Sequence, residues 1–269
     1  MTFLEHLNVL RGHLLRSIAS VVVFAIIAFL LKDFIFSTIL LAPKSDTFFT
    51  NRVMCQLGHL LHTSKICLND KPLDIINIDL AGQFKIHLTI SLFGGLILSS
   101  PYIFFELYRF IMPALKEKER KYSRGMVFYT TMLFLIGVLF GYYLITPLTI
   151  NFLGGYSVSA QVANQINLRS YIGTITSLIL STGLVFELPV LIYFLSKVGI
   201  VTASLMKHYR KHALVVFLLL SGIITPPDLF SQFLVCIPLY LLFELSIMIA
   251  GRIDKQRQAR DEAEETVTG

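Results

Sequence analysis

Three carboxylates of this sequence lie inside apolar stretches, where a charged group is costly to bury. Glu187 occurs in FELP, 18 residues after Arg169 and ten before Lys197, which in a helix places it about 15 Å from the lysine. A carboxyl group at that depth faces a partner helix or a wet cavity, or is protonated, and such groups are functional candidates by default. We favour a functional role over the alternative, a structural carboxyl group hydrogen-bonded to Ser or Thr on a neighbouring helix.

The other two carboxylates lie closer to basic residues. Glu106 precedes Arg109 by three residues, so the two side chains share one helix face and are predicted to form an ion pair at the membrane edge. Glu244 lies eight residues before Arg252, and the sequence does not choose between a structural and a functional role for it.

Two of the three cysteines, Cys55 and Cys67, share one polar segment with 11 residues between them. The segment allows either a Cys55–Cys67 disulfide or a free, buried Cys55 thiol that packs as a small hydrophobic group. With His59 and His62 these cysteines match no established zinc spacing, so no metal is expected. The sequence also lacks HExxH, a phosphate-binding loop, GxSxG and CxxC, so no enzyme is predicted.

The composition predicts an all-α integral membrane protein. Of the 269 residues, 55% are hydrophobic and 15% charged, against about 25% charged in soluble domains, and the apolar residues form blocks long enough to cross a bilayer. An amphipathic stretch at residues 2–15 leads into the first of six predicted spans, at about 17–41, 86–112, 126–145, 171–194, 213–224 and 233–250. We predict one membrane domain over residues 1–252 and a charged, disordered tail at 253–269.

Basic residues cluster at 116–124, 197–211 and 252–260, whereas the 146–169 loop carries one and 225–232 carries none. The positive-inside rule therefore places both termini in the cytoplasm and the 42–80 segment on the opposite, trans side. The same clustering explains the net charge of +6 without a nucleic-acid partner. No small-residue cleavage site follows the first apolar block, so no cleavable signal is predicted, and the chain is expected in the cytoplasmic (inner) membrane.

The fifth span is short. Its 12 residues make about 18 Å of helix, against a bilayer core of about 30 Å. A hairpin of spans five and six that turns at Pro226 and Pro227 is expected to thin the bilayer or leave a water-accessible depression.

Four sequence segments resemble the TatC family of the twin-arginine translocase. They are FLEHLNVLR, PYIFFELYRFIMPALKEKERK, FELPV, and TPPDLFSQ with the following IPLYLLFEL. The matches fall in order over nearly the whole chain. The resemblance implies a six-span signal-peptide receptor and core translocase subunit that exports folded proteins with the proton-motive force, without a cofactor.

The resemblance also implies which residues bind the paired arginines of a signal peptide. The matching carboxylate is Glu119, in KEKERK, with Phe110 and Pro113 shaping the loop between spans two and three. Arg11 falls on the arginine of the family's N-terminal motif. A carboxylate is the natural partner of a guanidinium, because it accepts two parallel hydrogen bonds.

One position departs from the family pattern. The family has an acidic residue two places before the motif arginine, and this sequence has Val9 there. Glu5, another residue of the motif, is the candidate for the acidic role, and Glu117 is a second.

Further positions match the membrane and trans-side parts of the family. Glu187 falls on a polar residue in the concave wall of span four, and Pro43 and Asp228 match trans-side positions. Thr225 and Gln232 match polar residues of the 5–6 hairpin, where single-span TatA- and TatB-type partners dock. The implied environment also includes membrane lipid and further copies of the chain.

The alternative function is a proton-coupled secondary transporter of a small solute, with Glu187 as the coupled site. That function predicts inverted repeats and discontinuous helices, and the sequence pattern shows neither.

Overall fold

The computed structural model describes residues 3–45, 48–60, 74–111, 123–157, 159, 164–224 and 229–268. Within these ranges the chain forms eleven α-helices and one pair of two-residue strands. The helices are α1 (Phe3–Leu30), α2 (Lys32–Phe34), α3 (Phe49–Leu60), α4 (Gly82–Ile111), α5 (Ser123–Phe140), α6 (Thr146–Gly155), α7 (Leu168–Val185), α8 (Leu188–Val198), α9 (Ala203–His208), α10 (Arg210–Ile224) and α11 (Leu229–Thr268). The strands β1 (Ile75–Ile76) and β2 (Ile166–Asn167) pair in parallel, with Ile75 opposite Ile166.

Five segments of the described chain are long and apolar enough to cross a membrane. They are Leu7–Leu30, Gly82–Ile111, Gly125–Gly155, Leu168–Val198 and Gln232–Ala259. These five confirm the all-α membrane fold and correspond to predicted spans one to four and six. The helix at the fifth span, α10, has 15 residues, about 22 Å, so the total of six spans stays a prediction.

The chain divides into two compact units, Met1–Leu180 and Ser181–Gly269. The predicted boundary at residue 252 falls inside the second unit and coincides with neither limit.

In the first unit, α1 packs antiparallel against α4 at very short range. A Cβ atom added at Gly95 of α4 would lie 2.6 Å from the backbone nitrogen of Ala25 in α1. Near the C-terminal end of α1, the His87 imidazole stacks on the Phe29 ring, with 3.9 Å between ring centroids. The Nε2 atom of His87 lies 3.0 Å from the Phe29 carbonyl oxygen. Gly95 is therefore the position where a side chain would force the two helices apart.

The third span does not end before Pro147, as the sequence predicts. A π-helical segment, Gly141–Ile145, follows α5 and leads directly into α6, which begins at Thr146 and carries Pro147 in its first turn. Proline cannot donate to the carbonyl four residues earlier, that of Tyr143. The Thr50 hydroxyl of α3 donates to that carbonyl instead, so the helix continues to Gly155 through residues predicted to form a loop.

At the trans end of the first unit, side chains from other segments donate hydrogen bonds to backbone carbonyl groups of residues 35–45. Tyr142 donates its hydroxyl to the Ile39 carbonyl at 2.8 Å, and Tyr171 donates to the Leu40 carbonyl at 3.1 Å. Pro43 is buried, and its carbonyl accepts a hydrogen bond from Asn51 Nδ2 at 3.2 Å. Pro43 thus lies in the contact between the end of span one and α3, which is a structural position.

Cys55, on α3, takes part in a disulfide bond, and Cys236, on α11, is a free, buried thiol. Cys67 lies outside the described residues, and its pairing with Cys55 stays a prediction. We expect one maleimide per chain when the denatured protein is alkylated without reductant and three after reduction, as counted by intact mass.

The Cys55→Ser variant is the control for that measurement. It should take up two maleimides without reductant, because Cys67 would then be released. Three labels on the unreduced wild-type chain would contradict the pairing. The bond would contribute about 3 kcal/mol through the closed loop by the chain-entropy estimate.

The fourth span is interrupted, although the sequence predicts one continuous helix there. α7 ends at Val185, Phe186 and Glu187 form a turn, and α8 begins at Leu188. Pro189, in the first turn of α8, cannot donate to the Val185 carbonyl four residues earlier. The amide groups of Val190 and Leu191 both donate to the Glu187 carbonyl, at 3.0 Å each. Among the described residues, span four is therefore broken between α7 and α8, a break that the sequence pattern did not show.

In the second unit, α8 and α10 pack against α11, with Phe217 of α10 meeting Phe243 edge-on at 5.6 Å between ring centroids. α8 ends at Val198 and is followed by Gly199, whose φ of 87° is a left-handed conformation that favours glycine. The guanidinium of Arg257 covers this glycine, since an added Cβ would lie 2.2 Å from Arg257 Nη1.

The predicted disordered tail is helical, because α11 continues without interruption to Thr268. Ile253 is buried, and Asp254 accepts a hydrogen bond from the Ala203 amide at 2.7 Å, at the N-terminus of α9. The prediction was therefore wrong. A charged composition describes a solvated helix as well as it describes a disordered chain.

Candidate functional site

Glu106 is the centre of a polar cluster between α1 and α4, near the end of α4 that the charge rule places in the cytoplasm. The residue is 2% exposed. His13 Nδ1 lies 2.5 Å from Glu106 Oε2, and the Tyr102 hydroxyl donates to Glu106 Oε1 at 3.0 Å. Arg16 Nε lies 3.7 Å from Oε2. Both carboxylate oxygens are thus engaged, and two of the three partners come from α1.

The predicted pairing of Glu106 with Arg109 is wrong. Arg109 is exposed on α4, whereas the Glu106 carboxylate is directed into the α1–α4 contact. A charge buried this deeply needs several polar partners to offset its lost hydration. The exposed neighbour on the same helix cannot supply them.

Sequence reasoning missed His13, Arg16 and Tyr102. A signal was available for each. His13 and Arg16 are three residues apart on α1, and Tyr102 lies one turn before Glu106, so each pair shares a helix face. The sequence did not show which residues of α1 lie opposite which residues of α4.

Two of the predicted signal-peptide residues flank this cluster. The Phe110 ring meets the His13 ring edge-on, with 6.1 Å between centroids, and Arg11 is exposed on α1 two residues before His13. The backbone of Glu5 belongs to α1, but its side chain lies outside the described part of the structure. Glu119, Glu117 and Pro113 also lie outside the described residues. Of Arg11 and Phe110, whose side chains are described, Phe110 contacts the cluster through His13.

Glu187 lies in the turn between α7 and α8, with its two carboxylate oxygens shielded from solvent. The sequence pattern predicts that it lies within a continuous span. The interruption instead places the Glu187 side chain at a point where the helical run of backbone hydrogen bonds is broken. Polar residues beside irregular backbone inside a membrane segment are typical of functional positions.

Glu244, whose role the sequence left open, forms an ion pair within the second unit. Arg210 Nη2, at the start of α10, donates to Glu244 Oε2 at 2.7 Å, and the Tyr240 hydroxyl donates to Oε1 at 3.1 Å. These contacts join α10 to α11, so a structural role accounts for Glu244.

The hairpin residues are described in part. Gln232 Nε2 donates to the Leu218 carbonyl of α10 at 2.8 Å, which ties α11 to α10 near their shared turn. Thr225 and Asp228 lie outside the described residues. Their predicted roles stay predictions.

Comparison with known proteins agrees with this architecture. The sequence matches the family Sec-independent protein translocase protein (TatC) over residues 5–238. The chain belongs to the TatC family. It is 40% identical over 259 residues to the Sec-independent protein translocase protein TatC of Blattabacterium sp. subsp. Periplaneta americana, covering 96% of this chain and 97% of that protein. It is 30% identical over 268 residues to TatCy of Bacillus subtilis, covering 100% and 96%.

Two crystal structures of the twin-arginine translocase receptor TatC share the fold. One, in the detergent DDM, superposes with a TM-score of 0.71 at 29% identity and covers 91% of this chain and 99% of the other. The second gives a TM-score of 0.66 at 28% identity, covering 91% and 97%. The chain is thus a multi-pass membrane protein and a core subunit of the twin-arginine translocase. The small-solute transporter alternative is wrong.

Proposed function

We propose that the α1–α4 end of the first unit is the surface on which this chain binds twin-arginine signal peptides. The observation that carries the proposal is the Glu106 cluster. His13 and Arg16 of α1 are held against a buried carboxylate of α4, which fixes the N-terminal helix beside the start of the 112–122 segment. The motif residues of α1 are thereby held at the same end of the unit as the C-terminal end of α4.

Glu106 itself has a positioning role in this proposal. Its carboxylate is buried and already engaged by His13, Tyr102 and Arg16, so it is not available to an incoming guanidinium. The arginines of the peptide are bound instead by Glu119 and Glu5, with Arg11 and Phe110 bordering the surface. Val9 cannot supply the second charge, and Glu5 takes its place.

The remaining predicted features belong to transport. TatA- and TatB-type single-span partners dock at the 5–6 hairpin through Thr225 and Gln232, further copies of the chain join the assembly, and Glu187 acts in the translocation step. Asp228 and Pro43 support the trans side. The chain supplies binding surfaces and no bond-making chemistry, and the proton-motive force supplies the energy.

The test is binding of a synthetic twin-arginine signal peptide to the purified full chain. Glu119→Gln should weaken binding about tenfold or more, because a charge-assisted bidentate pair is replaced by a neutral contact. Glu5→Gln should weaken it by a smaller factor. Isothermal titration or fluorescence anisotropy in detergent measures both.

Two controls isolate the site. A peptide with both arginines replaced by lysine should bind weakly to every variant, since lysine cannot form the planar fork. Asp74→Asn, which removes an exposed carboxylate from the predicted trans side, should bind like the wild type. Unchanged affinity in both Glu119→Gln and Glu5→Gln would overturn the proposed surface.

A further inference from the structure

A polar cavity opens at the N-terminal end of α7, on the predicted trans side of the first unit and away from the Glu106 cluster. Its volume is about 600 Å³, and its lining includes Asp79, Arg169, Ser170, Gly173, Thr174 and Ser177. The last four lie on one face of α7, at spacings of three and four residues. Serine and threonine hydroxyls can bond to their own helix, as Ser177 does by donating to the Thr174 carbonyl at 2.9 Å. Their oxygen atoms can still accept hydrogen bonds from a polar occupant of the cavity.

The cavity carries one charge of each sign. Arg169 is the single basic residue of the 146–169 segment, and it is exposed. Neither Arg169 nor Asp79 forms an ion pair among the described residues. The backbone around each is fixed, because Asn167 Oδ1 accepts a hydrogen bond from the Arg169 amide at 2.8 Å and the Asp79 carbonyl accepts one from Asn77 Nδ2 at 2.8 Å. Both charged side chains thus lie at the cavity without a counter-ion from the described part of the chain.

The depth of the cavity fits the membrane surface. Arg169 is the second residue of the apolar segment Leu168–Val198, so its guanidinium lies at the level of the lipid headgroups. Ser177, eight residues further along α7, lies about 12 Å deeper, near the glycerol and ester groups. Gly173 lies between these levels, and an added Cβ there would meet nothing within 4 Å, so the cavity is open along its length.

We propose that this cavity binds the headgroup of phosphatidylethanolamine from the trans leaflet. Arg169 and the Ser170 hydroxyl bind the phosphate, the Asp79 carboxylate accepts hydrogen bonds from the primary ammonium, and Thr174 and Ser177 face the glycerol backbone. Phosphatidylglycerol would satisfy Arg169 but brings no cation to Asp79. Phosphatidylcholine carries a cation that cannot donate a hydrogen bond.

The test is native mass spectrometry of the full chain in mild detergent, after incubation with an equimolar mixture of phosphatidylethanolamine, phosphatidylcholine and phosphatidylglycerol. We expect the wild type to retain phosphatidylethanolamine at least about threefold over each of the other two. Asp79→Asn should lose the preference over phosphatidylcholine, and Arg169→Gln should lose retention of the bound lipid. Gly173→Leu, which fills the cavity without changing charge, should reduce retention of all three.

Lys85→Gln is the matched control, because Lys85 is exposed on α4, near the same predicted membrane face, but does not line the cavity. It should retain lipid like the wild type. Melting temperatures of all variants in lipid-free detergent should agree, which separates a binding defect from a folding defect. Inorganic phosphate alone should not raise the wild-type melting temperature.

Several outcomes would overturn the proposal. Equal retention by wild type, Arg169→Gln and Asp79→Asn would show that the lipid binds elsewhere. A preference for phosphatidylglycerol, or stabilisation by inorganic phosphate that Arg169→Gln abolishes, would indicate a simple anion site. Retention unchanged in Gly173→Leu would show that the retained lipid does not occupy this cavity.

Discussion

The Gly95→Ala variant is expected to unfold about 2–12 °C below the wild-type chain. The new Cβ would lie 2.6 Å from the Ala25 nitrogen and 2.8 Å from the Ala25 Cα, and backbone atoms cannot move aside as a flexible side chain can. Overpacking of this kind costs about 1–3 kcal/mol, and each kcal/mol lowers the melting temperature of a chain this size by about 2–4 °C. The α1–α4 contact that positions the Glu106 cluster would loosen with it.

Gly94→Ala is the matched control in the same helix. Its Cβ would meet only the Ala28 Cβ, at 3.4 Å, an ordinary contact. Both substitutions gain the same helix propensity, so the difference between them isolates the close approach at Gly95. The measurement is the temperature at which half of the detergent-solubilised protein leaves the monodisperse size-exclusion peak. Equal melting temperatures for the two variants would contradict the packing argument.

The membrane spans were predictable because bilayer thickness sets their length and composition, whatever the tertiary contacts. Segments such as Gly82–Ile111 and Gln232–Ala259 stand out by apolar length alone. The short fifth span was predicted from the same count, and α10 is indeed only 15 residues long.

The helix ends were less predictable because they depend on partners distant in sequence. Pro147 is expected to end a helix, and it does not, since Thr50 satisfies the carbonyl that the proline leaves free. The tail was misjudged for a similar reason: Asp254 is ordered by the Ala203 amide, 51 residues away. Neither contact has a local sequence signal.

The residues of the candidate site were likewise predictable where the signal is local, and not where it depends on contacts distant in sequence. Glu187 was found because a carboxylate in an apolar segment is conspicuous, and the structure adds only the helix break around it. Glu106 was noticed but assigned the wrong partner, because Arg109 is the near neighbour in sequence and His13 is 93 residues away. Local spacing identifies neighbours on one helix, but buried pairs depend on which helices meet.

Replacing Glu187 by leucine is expected to abolish export while leaving membrane insertion and signal-peptide binding intact. Glu187 lies in the turn that interrupts span four, where α7 and α8 meet without a continuous hydrogen-bond ladder. A polar group there can bind a partner helix or an ordered water inside the membrane, and leucine can do neither. We expect export below about a tenth of the wild-type level, since a buried polar group deprived of its hydrogen-bonding partner costs about 1–3 kcal/mol.

Glu187→Gln separates hydrogen bonding from charge. Glutamine keeps a polar group of the same size, so this variant should retain at least about half of wild-type export. Leu191→Val, an exposed apolar position one turn further along α8, controls for substitution near the break and should export normally. Export is measured with a twin-arginine reporter protein recovered from the trans side, with chain levels in the membrane quantified in parallel.

If Glu187→Leu exports like the wild type, the carboxyl group has no role in transport. If Glu187→Gln fails as completely as Glu187→Leu, the negative charge itself is required, and hydrogen bonding is not sufficient.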